Sequence, residues 1–189
     1  MQQSYIVLWS ADRWKWLKRH GESGRPLEVL YGGHHTSTPS FSRYYVMPGD
    51  RVYVVMVRDG RLHILASMDI VKYLSISDYL RTYHHVSEDI LSLHLWAMET
   101  RLREERPDLG HRLPYGCIDE ALVGESRLPF RFDRQVPVEI VETLTFRNKQ
   151  GRERGVKVED GKFKSVTGIQ GHVLRLAPDS AQEFASLDD

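Results

Sequence analysis

The first apolar run, SYIVLW at 4–9, is short, unbroken and rich in β-formers, which predicts a buried strand. Ser10 follows as an N-cap, and 11–20 reads as a helix with Trp14 and Leu17 on one face and Gly21 as its stop. Residues 21–43 are rich in Gly, Ser, Thr, Pro and His and read as one long loop, a feature that in compact domains often carries function. Pro48-Gly49-Asp50 leads into a strand at 51–57, and Asp59-Gly60 turns it into a second at 61–72. A short helix over 77–83 and a longer one over 87–106 follow. In the longer one Leu91, Leu95, Met98 and Leu102 recur at helical spacing, and Pro107 ends it. Proline and glycine break the pattern between 107 and 135, leaving one strand near 118–123. The alternation in PVEIVETLTF predicts a strand over 137–146. One or two short strands surround Asp160-Gly161, and Pro178 opens a final helix with Ala181, Phe184 and Leu187 inward.

This order predicts an α+β fold. A curled, mostly antiparallel sheet is built from 4–9, 51–57, 61–72 and 137–146, with the 11–20 helix packed on it. Composition supports an ordinary globular chain: 189 residues, 41 % hydrophobic and 28 % charged. The 26 basic and 26 acidic side chains cancel, so contact with a polyanion must come from a local patch. Cys117 is the only cysteine, which excludes an internal disulfide and a cysteine-based zinc site and suits a reducing, cytoplasmic setting. The opening MQQSYIVLWSADRWKW reads as neither a signal peptide nor a membrane span.

The first seventy residues resemble the EVE branch of the PUA-like superfamily, with ASCH-type domains as the second choice. The likeness is carried by the strand ending in Trp9-Ser10, the helix with Trp14 and Trp16, the segment FSRYYVMPGDRVYVV at 41–55, and GRLHILASMDIV at 60–71. GIQGHVLRLAPDSAQEF resembles the closing strand and helix of such domains. The resemblance implies one domain over 1–189, a PUA-like barrel, and a helical insertion at 74–115. It also implies nucleic-acid binding, with a modified base in a pocket between the first helix, the polar loop and the barrel. That pocket is expected to be bordered by Trp9, Ser10, Gly33, His34, Thr36, Ser37, Arg43 and Ser67.

The residues themselves offer matching chemistry. Trp14 reads as core, whereas Trp9, at a strand end beside the long loop, is the candidate for stacking on a base. Gly32-Gly33-His34-His35-Thr36-Ser37 combines close backbone approach with small donors and acceptors, and it equally suits a plain surface loop. It is not a phosphate-binding P-loop, because the lysine is missing. Between 127 and 157 eight basic residues face four acidic ones. Arg131, Arg134, Arg147, Lys149 and Arg152 are therefore candidates for a nucleic-acid backbone. The histidine pairs His34-His35 and His84-His85 lack a ligand set, so neither a metal nor a cofactor is expected. Cys117 and Ser67 lie in no nucleophile signature. Two other readings stay open. One is a small hydrolase of a modified nucleoside or nucleotide, using Lys15, Glu28 and Thr36. The other is a protein-interaction domain that presents the 87–106 helix.

Overall fold

In the computed structural model, residues 2–33, 39–106, 119–166, 169 and 173–188 are described. Strand β1 (Ser4–Leu8) sits inside the sheet, between β10 (Val173–Arg175) and β3 (Arg51–Arg58). Its unbroken apolar run is explained by burial on both faces: Tyr5, Val7 and Trp9 enter one core cluster, Ile6 and Leu8 another. β3 turns through Asp59 and Gly60, both at positive φ, into the fifteen-residue β4 (Arg61–Ser75). β4 pairs with β5 (Glu120–Leu128), and β5 with β2 (Val29–Gly32). The curled six-stranded sheet has the order β10-β1-β3-β4-β5-β2, antiparallel throughout except for β1 beside β3. The architecture is α+β, as the element order predicted.

Helix α1 (Ala11–Arg19) covers one face through Leu17, with Trp14 and Trp16 half-buried beside it. Between β4 and β5 the chain makes α2 (Ile76–His84), α3 (Glu88–Leu91) and α4 (Leu95–Glu105), which build a separate core around Leu80, Met98 and Leu102. On the opposite face of the sheet lie α5 (Val138–Thr143) and α6 (Pro178–Ala185), joined by Val141, Leu144 and Phe184. Two hairpins complete the fold: β6 (Thr145–Arg147) with β7 (Glu153–Gly155), and β8 (Val158–Glu159) with β9 (Lys162–Phe163). Among the described residues no helix is long and apolar enough to cross a membrane.

Four expectations are corrected. The segment 137–146 is not a sheet strand but helix α5 followed by β6. Pro137 stands at the N-cap and Glu139 in the first turn, and Val138, Val141 and Leu144 recur every third residue, a spacing the alternation concealed. The sheet's remaining places are taken instead by β5, β2 and β10. The 87–106 helix is split at 92–94, where Ser92 ends α3 and His94 restarts the chain as the N-cap of α4. The 21–43 loop contains β2, whose four residues are too few to show a period. Finally, the strand near 118–123 starts at Glu120 and runs on to Leu128.

Gly32 ends β2 where the chain packs against itself. A Cβ there would lie 2.4 Å from the carbonyl oxygen of Pro39 and 2.7 Å from the Phe41 ring. Gly32→Ala is therefore expected to lower stability by about 1–3 kcal/mol through overpacking, read as a fall in the melting temperature.

Candidate nucleic-acid interface

The segment from 41 to 50 is a turn pinned at both ends. Phe41 and Val46 are fully buried in the core. The carboxylate of Glu120, itself buried at the start of β5, accepts hydrogen bonds from the Phe41 amide at 2.7 Å, the Ser42 amide at 3.4 Å and the Ser40 hydroxyl at 3.3 Å. The Ser42 hydroxyl donates to it as well. At the other end the buried Asp50 carboxylate accepts from the Gln3 and Met47 amides, each at 2.9 Å. Between these clamps runs a short 3-10 turn, Ser42–Tyr44. Tyr45 follows in the left-handed region at φ 57°, a conformation that is a genuine outlier for a bulky residue. The clamps hold core residues inward and leave Tyr45 64 % and Met47 59 % exposed.

Facing this turn is the β6–β7 hairpin. The Asn148 side-chain oxygen accepts from the Gln150 and Arg152 amides at 3.0 and 2.9 Å, which shapes the tip, and Gly151 takes a positive φ. Arg175 on β10 donates to the Asn148 carbonyl at 2.6 Å and ties the hairpin to the sheet. The space between turn and hairpin is a groove of about 900 Å³. Tyr5, Tyr44, Tyr45 and Met47 line it together with Arg147, Lys149, Arg152, Arg154 and Arg175.

Charge in this groove is lopsided: five cations meet two carboxylates, Asp50 and Glu153. Asp50 is already engaged by backbone amides, and Glu153 pairs with Arg147 at 3.3 Å. Lys149 and Arg152 meet no carboxylate among the described residues, and the Lys149 ammonium lies 4.3 Å from the Tyr45 ring centroid. At the groove floor, burial and then the Asp50 charge push the Tyr5 hydroxyl up to about 12. Tyr5 therefore stays a proton donor at neutral pH, and its hydroxyl donates to the Tyr45 carbonyl at 3.4 Å. The arrangement can neutralise phosphates with its cations and offer ring faces beside them.

A second groove, of about 590 Å³, lies near the end of α1, lined by Lys18, Arg58, His63, Arg131 and Asp133 among others. Its arginines are offset by carboxylates: Arg58 pairs with Asp59 at 3.4 Å and Arg131 with Asp133 at 3.5 Å. Burial, reinforced by the Arg58 charge, holds the His63 imidazole below its ordinary range. This groove holds less unpaired positive charge than the larger one.

Of the pocket residues singled out in the sequence, the described ones do not share one pocket. Trp9 is only 7 % exposed. It stacks on Phe130 at 5.9 Å between centroids and carries the Arg13 guanidinium 3.9 Å over its ring. Burial pushes that guanidinium down to about 10, and the indole has no open face for a base. Ser10 serves as the N-cap, accepting from the Arg13 amide at 3.3 Å. The Gly33 amide donates to the Pro39 carbonyl, while His34, Thr36 and Ser37 lie outside the described residues, as does Cys117. Ser67 pairs with Tyr53 on the far face of the sheet and donates to Asp188 at 3.5 Å, so it cannot border a site beside Trp9. Arg43 is exposed on the 3-10 turn next to Tyr44, outside the groove lining.

Of the five backbone candidates, Arg147, Lys149 and Arg152 line the larger groove. Arg131 lines the smaller one, and Arg134 is half-buried beyond both. Lys15 pairs with Asp12 on the solvent side of α1, and Glu28 is exposed. Among the described residues no three His, Cys, Asp or Glu side chains gather as a metal site. Sequence reasoning missed Tyr5, Tyr44, Tyr45, Met47 and Arg175, and it counted Arg154 only within the basic excess of 127–157. The run YYVMPGD carried a signal, since aromatics directly before a turn seldom all find a core; Arg175 carried none.

No family model matches the chain, and no curated protein matches it. Among solved structures it is similar to the ASCH protein of Zymomonas mobilis, at 9–10 % identity. Two crystal structures of point mutants align at TM-scores of 0.45 and 0.42, covering 98 % of this chain and 99 % and 96 % of theirs. A third, of the ASCH protein itself, aligns at 0.37, covering 97 % of this chain and 94 % of that one.

Proposed function

We propose that this chain is a PUA-like nucleic-acid-binding module that holds an oligonucleotide in the groove between the 41–50 turn and the β6–β7 hairpin. One observation carries the reading. The groove joins tyrosine faces to five cations, two of which have no carboxylate partner among the described residues, in a chain whose overall charge is zero. In a neutral protein such a concentration is a local positive field suited to a polyanion. The site expected beside Trp9 is replaced in this proposal, because that indole is buried, stacked on Phe130 and covered by Arg13, whereas Tyr45 is exposed.

Affinity is expected to be modest, since few phosphates are neutralised. With three or four contacts, log K should fall against log salt with a slope of about −2 to −3.5. Fluorescence anisotropy with labelled eight-nucleotide RNA and DNA measures this. The double variant Lys149→Glu, Arg152→Glu is expected to weaken binding roughly 10- to 100-fold at low salt, about 1.4–2.7 kcal/mol, and to flatten the slope. Both residues are exposed on the hairpin, so the variant should melt like the parent. Unchanged affinity and slope in a folded double variant would refute the assignment of this groove.

A further inference from the structure

We infer that Tyr45 is a stacking platform for one unpaired base, which makes the groove selective for a polynucleotide with open base faces over a closed duplex. The inference rests on the groove reading above and adds its ligand class. Tyr45 is held outward against two costs. Its backbone adopts φ 57°, which an aromatic residue rarely takes, and its ring stays mostly in solvent although a buried ring would be more favourable. Among the described residues the other non-glycine positions at positive φ are Asp59, His85 and Asp160, short polar or imidazole side chains of the kind this conformation suits. Strain of this sort persists where the surroundings over-determine it. Here they do: Phe41 and Val46 are buried on either side, the Tyr45 amide donates to the Ser42 carbonyl, and the Tyr5 hydroxyl donates to the Tyr45 carbonyl.

The Lys149 ammonium already sits over the ring, at 4.3 Å. An incoming nucleotide gives that ammonium a better partner, its phosphate, and leaves the ring face to the base. The cation and the aromatic thus serve adjacent parts of one nucleotide. A duplex has its base faces closed by stacking and pairing, so it can use the cations but not the ring.

The position supplies its own control, because glycine takes φ 57° freely. Tyr45→Gly removes the ring and keeps the backbone, and Tyr45→Asn, also tolerant of this conformation, guards against loss of fold. Parent and variants would be titrated with a labelled eight-nucleotide single strand, its abasic counterpart and its blunt duplex, as RNA and as DNA. The parent is expected to favour the single strand over both others. Both variants should bind the single strand about 5- to 150-fold more weakly, equivalent to about 1–3 kcal/mol for a base–aromatic stack. They should also lose its advantage over the abasic strand, while Tyr45→Trp should keep it. If single and abasic strands bind the parent alike, or if both variants retain the preference, base stacking is wrong and the groove reading stands. If no polynucleotide binds the parent at low salt, both fail.

Discussion

Glu120→Ala is expected to destabilise the protein by about 2–5 kcal/mol, the range for stranding buried donors that had shared one charged acceptor. Glu120 is 2 % exposed, and its two oxygens receive the Phe41 and Ser42 amides and the Ser40 and Ser42 hydroxyls. Alanine leaves the buried Phe41 amide with no partner and opens a hole where β5 meets the turn. The loss should extend beyond stability. The same carboxylate anchors the turn that presents Tyr44 and Tyr45, so binding by the folded fraction should weaken as well. Glu120→Gln keeps one acceptor oxygen and should retain part of both properties. Urea denaturation of the two variants beside the parent provides the check. An alanine variant within about 0.5 kcal/mol of the parent, the scatter of neutral surface changes, would show that the clamp is dispensable.

Arg51→Ala should be nearly as severe. Arg51 holds Asp69 in a fork, at 2.6 and 3.1 Å, and reaches Asp188 at 2.6 Å. Asp188 accepts also from Tyr53 at 3.2 Å, and Arg127 adds a 2.6 Å contact to Asp69. The Arg51 side chain is 13 % exposed, so removing it leaves two poorly solvated carboxylates near each other. Breaking a buried pair from one side costs about 3–5 kcal/mol, and partial solvent access at Asp69 argues for the lower figure.

The network also sets a pH signature. Burial pushes the Asp69 carboxyl up, but hydrogen bonds from Arg51 and Arg127 outweigh it and hold the group below its ordinary value. A depressed carboxyl contributes stability that is present above roughly pH 4, the unfolded value, and is lost as pH falls through the folded one. Asp188 behaves in the opposite sense: burial outweighs Arg51 and raises it, so its contribution is lost as pH rises through the folded value. Without Arg51 both carboxyls rise. The deficit of Arg51→Ala should therefore be greatest at neutral pH and shrink on acidification toward pH 4. A deficit independent of pH would mean that lost packing, not lost charge pairing, explains it.

The course of the fold was largely legible because its strongest signals are local. The buried strand at β1, the Asp59-Gly60 hairpin, the Ser10 cap and the Pro178 helix start each follow from a few adjacent residues. Misreadings arose where two templates fit the same residues. Val138, Val141 and Leu144 suit a helix, while Val138, Ile140, Leu144 and Phe146 suit an alternating strand; only the partner surface on α6 decides. The site was less legible because it is assembled from four distant stretches. Arg175 joins Lys149 and Tyr45 only through the pairing of β10 with β1, which no local pattern announces. Trp9 misled for a related reason. A tryptophan at a strand end beside a polar loop looks available for stacking until the neighbours from α1 and from the segment after β5, Arg13 and Phe130, are seen to fill both roles.

The central claim is that nucleic acid lies between the 41–50 turn and the β6–β7 hairpin. Backbone amide chemical-shift mapping during titration with an unlabelled eight-nucleotide single strand tests it most directly. The account predicts shifts concentrated at Tyr44, Tyr45, Met47, the 147–154 hairpin and 173–175, which weaken as salt is added. Shifts gathered instead around Ser10, Arg13 and Gly33, or no shifts at low salt, would contradict it.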